Sequence, residues 1–124
     1  MAKVFLDTNY FIDAIHRKPE MQILDHLEGH IVHTSSLSFH IYCYAFKIKI
    51  PNKNVLSQKE KFQIVEFSED ILTKALSGPT TDFEDNVQLH SAAEAECDIF
   101  LTADKKLLDM KFFGKTRVIS LLHS

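Results

Sequence analysis

Glycine is scarce in this chain of 124 residues, with three in all, Gly29, Gly78 and Gly114. A phosphate-cradling P-loop or a dinucleotide-binding turn needs several glycines in one short loop, so neither can be built here. Cysteine is scarcer. Cys43 and Cys97 lie far apart, have no C-x-x-C companion, and sit in apolar patterns where a thiol packs as a small hydrophobe. A disulfide framework and a cysteine zinc site are both excluded on that pattern. No His pair has the H-E-x-x-H spacing of a zinc hydrolase. No apolar run approaches the roughly 20 residues that cross a bilayer. Met1-Ala2-Lys3 passes directly into a strand-like run, without the charged-then-apolar layout of a signal peptide. No membrane attachment and a cytoplasmic location are therefore expected. Repeats, low-complexity tracts and linkers are also missing, which leaves a single domain over residues 1–124.

What is present suffices for one core: 45% hydrophobic residues, ten Phe among them. The net charge of −3 argues against a general polyanion binder, but the charge is unevenly placed. Residues 29–59 contain no Asp or Glu while carrying Lys47, Lys49, Lys53 and Lys59. Residues 82–109 hold eight acids against Lys105 and Lys106. A solvated lysine face is the plain account of the first stretch; phosphate binding by Lys47, Lys49 and Lys53 is the functional one.

Short apolar runs alternate with helical patterns. Lys3 to Asp7 reads as a buried strand, followed by a helix to about His16. Pro19 opens a second helix, with Met21, Leu24 and Leu27 on one face and Gly29 as its cap. His30 to Thr34 is the next strand, and Ser35 or Ser36 caps a helix through about Lys49, ahead of Pro51. That helix has two apolar stripes, one for the sheet and one for a neighbouring helix or a second subunit, so a homodimer is expected. Phe62 to Phe67 reads as a third strand, and Ser68 to Gly78 as a punctuated helix. Thr81-Asp82-Phe83-Glu84 has capping-box spacing and starts a helix to about Glu96. Ile99 to Thr102 and Arg117 to Leu121 supply the last two strands. The alternation predicts an α/β fold, a parallel sheet covered by helices on both faces.

In such a sheet ligands bind beyond the carboxyl ends of the strands. Asp7 and Asp104 arrive there from strand ends, and Asp85 from the first turns of a helix. Three unpaired carboxylates aimed at one cleft are costly unless a cation neutralises them. Oxygen donors alone suit Mg²⁺ or Mn²⁺, which accept phosphate oxygens and waters as further ligands. The chemistry that follows is metal-assisted hydrolysis of a phosphodiester, with Thr8, Asn9 and Thr102 placed to orient the acids. Ordinary helix capping explains any one of these residues alone.

The three segments Val4-Phe5-Leu6-Asp7-Thr8-Asn9, Asp82-Phe83-Glu84-Asp85 and Ile99-Phe100-Leu101-Thr102-Ala103-Asp104-Lys105-Lys106, in that order, resemble the PIN-domain family, and most of all its small VapC-like ribonuclease toxins. The resemblance implies a three-layer α/β/α fold with a central parallel sheet of about five strands. It also implies Mg²⁺- or Mn²⁺-dependent RNA cleavage, a protein antitoxin as partner, and Asp7, Asp85 and Asp104 as metal-site acids. The chain departs from the pattern in one place. Family members usually carry a further acid in the helix after the second strand, where this chain has none. His40 stands in the equivalent place, with Ser38 the next choice, and Asp82 is an alternative source of the missing charge. His40 and Asp82 thus join the catalytic candidates. A degenerate site that binds RNA or a partner without cutting is the competing reading. An aspartyl-nucleophile phosphotransferase is a third, disfavoured because Asn9 stands where its second acid belongs.

Overall fold

The computed structural model describes residues 1–121. Strand β1 (Lys3–Leu6) pairs in parallel with β2 (Ile31–Ser35) on one side and β4 (Ile99–Leu101) on the other. It is apolar after its first residue because both its faces are covered. Side chains alternate across it as the strand period requires. Val4 and Leu6 join Phe11, Val32 and Leu101 on one face, while Phe5 joins Leu89, Phe100 and Leu107 on the other. The Phe5 and Phe100 rings stack 5.6 Å apart at 7°.

Three more strands, β3 (Gln63–Val65), β5 (Phe112–Phe113) and β6 (Thr116–Ile119), complete a six-stranded sheet in the order β3-β2-β1-β4-β6-β5. Five strands are parallel, and β5 is antiparallel to β6. The expected five-stranded parallel sheet is therefore present with an edge ribbon added. Gly114, at φ +62°, makes the tight turn of that ribbon.

Helices cover both faces. On leaving β1 the chain forms α1 (Thr8–Ile12) and continues in a π-helical turn over Asp13–Arg17. A 3₁₀ turn (Pro19–Met21) and α2 (Ile23–His26) follow, separated because Gln22 adopts a left-handed φ of 49°. The single helix expected after Pro19 is thereby divided. Next come α3 (Ser36–Ala45), α4 (Lys53–Lys59), α5 (Glu69–Ser77), α6 (Phe83–Glu94) and α7 (Lys105–Met110).

Helix α3 stops short of the expected Lys49. Lys47 takes φ 51°, and the Ile48 amide turns back to the Cys43 carbonyl at 3.0 Å. This left-handed stop satisfies the last carbonyls without a glycine. Helix α6 ends the same way, with Glu96 at φ 55° and the Cys97 amide donating to the Ala92 carbonyl at 2.9 Å. Its N-cap is Asp82, not Thr81, because the Asp85 amide donates to Asp82 Oδ1 at 2.9 Å. Helices α4 and α7 have no counterpart in the expected element order. Cys43 and Cys97 are free thiols, and burial pushes the Cys97 thiol up to about 12. No helix among the described residues is long and apolar enough to cross a membrane.

Phe100 is fully buried on the central strand pair, so Phe100→Ala is expected to cost about 3–5 kcal/mol. Urea unfolding should show a lower midpoint at an unchanged slope.

Candidate functional site

After β1 the chain moves to β2 and β3 on one side, and after β4 it moves to β6 on the other. The junction of β1 and β4 is therefore the place where strand order reverses, and a crevice opens there beyond the carboxyl ends. Asp7 follows β1 directly, and its amide donates to the Leu101 carbonyl of β4 at 3.1 Å. Asp104 follows the same end of β4. Both acids reach one edge because their strands are neighbours.

Asp7 and Asp104 each have a local anchor. Asp7 is the N-cap of α1 and accepts the Tyr10 amide on Oδ1 at 2.8 Å. Asp104 caps α7, with Oδ1 accepting the Lys106 amide at 2.8 Å and the Leu107 amide at 3.4 Å. Its Oδ2 has no hydrogen-bond partner among the described residues. The Asp85 side chain, half-buried in the first turn of α6, likewise has none.

The electrostatics tie the three together. Burial pushes the Asp7 carboxyl above its ordinary range; the Thr102 hydroxyl and the Tyr10 amide offset part of this, and Asp104 and Asp13 add to it. Asp85 is pushed up to about 6, first by burial, then by the charges of Asp82, Asp104, Glu84 and Asp7. These are uncompensated like charges at short range. Among the described residues no three His, Cys, Asp or Glu side chains close into a cage for an ion. An ion held by one or two carboxylates and several waters needs no such cage, and hard oxygen donors fit Mg²⁺ or Mn²⁺.

The polar neighbours take distinct parts. The Thr102 hydroxyl accepts the Asp104 amide at 3.0 Å. Thr8 Oγ1 lies 3.0 Å from Ser38 Oγ, and Ser38 in turn donates to Gln88 Oε1 at 3.3 Å, a buried chain linking α1, α3 and α6. The Asn9 carbonyl accepts from Arg17 Nη2 at 3.0 Å. Asn86, the residue after Asp85, clasps the loop before α6. Its Nδ2 donates to the Ala75 and Thr80 carbonyls, each at 2.9 Å, and its Oδ1 accepts the Thr80 amide at 2.9 Å.

Two expectations need correction. His40 is exposed, and its ring lies beside that of Tyr44, 6.2 Å away at 24°. A helix turns about 100° per residue, so with Ser38 facing Thr8, His40 two residues on faces away. Ser38 is the α3 residue that meets this edge. The second correction concerns Lys47, Lys49 and Lys53, which line neither cleft at the carboxylates. The ten residues of α3 carry the chain about 15 Å before Lys47 is reached. The cations found beside the acids are Arg17 and Lys18 in one cleft, Lys105 and Lys106 in the other. A sequence signal existed for Arg17 in its i, i+4 spacing from Asp13, which it meets at 2.8 Å. Glu84 was also passed over; burial and then the charge of Asp82 push its carboxyl up, and the nearby Thr8 hydroxyl offsets part of this.

Comparisons with known proteins accord with this geometry. A family model described as the PIN domain matches residues 3–106. No curated protein matches the chain in sequence. Among solved structures, the chain is similar to one in the crystal structure of VapBC2 from Rickettsia felis bound to a DNA fragment from their promoter. The TM-score is 0.65 and the identity 15%, over 94% of this chain and 97% of that one. At that identity the likeness is one of fold.

Asp85 gives a pH signature. Its carboxyl is raised from 3.8 to about 6 in the folded chain. Between those values the folded state binds more protons than the unfolded one, so Asp85's contribution to stability is full below the lower value and lost as pH rises through the upper. The loss is on the order of 1 kcal/mol once solvent screening is allowed for. In chelator-containing buffer, urea unfolding from acid to neutral pH should show this fall in the wild type and a flatter profile in Asp85→Asn. Superimposable profiles would remove the charge coupling.

Proposed function

The chain belongs to the PIN-domain family, and from that premise we propose that it is a divalent-metal-dependent endoribonuclease, the toxin of a toxin–antitoxin pair. PIN domains are generally nucleases. One observation carries the proposal: Asp7 and Asp104 leave neighbouring strands at the point where strand order reverses, and Asp85 lies within electrostatic reach of both.

Asp7, Asp85 and Asp104 are the residues to hold Mg²⁺ or Mn²⁺. When bound, such an ion polarises a phosphoryl oxygen and lowers the pKa of a coordinated water. The chain's own contribution is to position oxygen donors. The Tyr10 amide and the Thr102 hydroxyl fix the Asp7 carboxylate, and the α7 cap fixes Asp104 while leaving Oδ2 open. Asp82 adds negative charge beside Asp85 and Glu84 adds it beside Thr8, which together offset the lack of an acid on α3. Such a protein acts on RNA in the cytoplasm. Exposed Tyr44, Ile50 and Leu56 supply apolar surface for an antitoxin or a second copy of the chain.

A second reading has its own support. Ser38, and no carboxylate, is what α3 presents to Thr8. On that ground a PIN-fold module that binds RNA or a protein without cutting remains the alternative.

Cleavage of an end-labelled RNA with Mn²⁺ or Mg²⁺ decides between them. Asp7→Asn, Asp85→Asn and Asp104→Asn should each lower the rate by about 100-fold or more, the scale of losing one group that stabilises developing charge. His40→Ala should stay within about twofold of wild type, as expected for a residue facing away from the reacting groups. A folded wild type that cuts no RNA with either ion would leave the binding module.

A further inference from the structure

Two clefts meet at Asp104. The first, about 440 Å³, is lined by Asp7, Asp13, Arg17 and Lys18 among others; the second, about 450 Å³, by Asp82, Asp85, Lys105 and Lys106. Asp104 lines both. We propose that they are two halves of one track for single-stranded RNA, with the scissile phosphate at Asp104 and the phosphates on either side held by Arg17–Lys18 and by Lys105–Lys106. The proposal rests on the nuclease reading and assigns its substrate grip.

The charge layout is what such a strand requires. Acids line both clefts, where an unneutralised phosphate is repelled. Each cleft also carries a pair of cations, so a phosphate seated in either one is attracted. Arg17 is already fixed in place, its Nε donating to Asp13 Oδ1 at 2.8 Å and its Nη2 to the Asn9 carbonyl at 3.0 Å. Lys18 is held loosely, 3.9 Å from Asp13 Oδ2. Among the described residues neither Lys105 nor Lys106 has an ion pair. Each cleft falls within the range of about 300–1,000 Å³ common for small-ligand sites, room for little more than a nucleotide on each side.

No aromatic side chain lines either cleft. Base stacking, the usual second source of affinity for single strands, is therefore absent from the track. The grip is on phosphate and reads no base. Affinity should depend steeply on salt and hardly at all on sequence.

Fluorescence anisotropy with labelled oligouridylate and oligoadenylate of equal length tests this on the full chain, with Ca²⁺ in place of the catalytic ion. The two oligomers are expected to bind within about threefold of each other, as phosphate contacts alone would have it. Arg17→Gln with Lys18→Gln, and separately Lys105→Gln with Lys106→Gln, should each weaken binding about tenfold at low salt. Each pair should also flatten the log–log salt slope by about 1.4, two phosphate contacts on a single strand. Lys47→Gln with Lys49→Gln should change neither. Wild-type affinity and slope in both cleft variants would overturn the track, and so would a marked preference for one oligomer. Cleavage of the same RNAs with Mn²⁺ is read in parallel. Persistent cleavage with the track overturned leaves the nuclease standing, whereas loss of both binding and cleavage in the wild type removes both.

Discussion

The parallel pairing of β1 with β4 joins the two ends of the sequence, and the site exists only because of it. Residues 95 apart are tied at its amino end, where the Lys3 amide donates to Asp98 Oδ2 at 2.8 Å and the Asp98 amide returns to the Lys3 carbonyl. At the carboxyl end, the Asp7 amide closes on Leu101. Between these clasps Phe5 and Phe100 share register and stack. The loop closed this way is entropically expensive, and burial of apolar side chains on both faces of the pair offsets that cost. Once the pair forms, the chain has no other place for Asp7 and Asp104 than one edge.

That edge carries a cost of its own. Fold stability would be served by fewer charges there, since burial and the neighbouring carboxylates push the Asp85 carboxyl up. Part of each acid's presence is explained by capping, since Asp7, Asp82 and Asp104 all accept amides at helix starts. Capping does not explain Asp85, whose side chain caps nothing. A half-buried carboxylate beside several others, with no hydrogen bond of its own among the described residues, is retained at a loss unless a cation is to join it.

The sheet was legible in the sequence because a strand buried on both faces leaves a continuous apolar run, and Val4-Phe5-Leu6 and Ile99-Phe100-Leu101 are such runs. The acids at their ends were legible for the same reason: the end of a run is a sharp marker. The α3 residue nearest the site was harder to read. That helix is apolar on two sides, so periodicity alone could not say whether Ser38 or His40 turns toward Thr8. The early stop of α3 was hidden as well, because Lys47 takes a left-handed angle that sequence normally announces with glycine or asparagine. The basic cleft residues were missed because a linear count favours acid-free stretches. Arg17, Lys18, Lys105 and Lys106 are each interleaved with acids in sequence, and only folding brings them into the two clefts.

The π-helical turn over Asp13–Arg17 sets the rotational phase of Arg17 at its end. Such turns are rare and cluster at functional sites. A helix advances about 100° for each residue, so a chain one residue shorter here would swing Arg17 off its cleft while every strand and every carboxylate stayed in place. The protein thus separates a fixed part, the acids at strand ends, from an arm whose angle a single insertion or deletion would reset. Evolution could retarget such a scaffold without touching its chemistry.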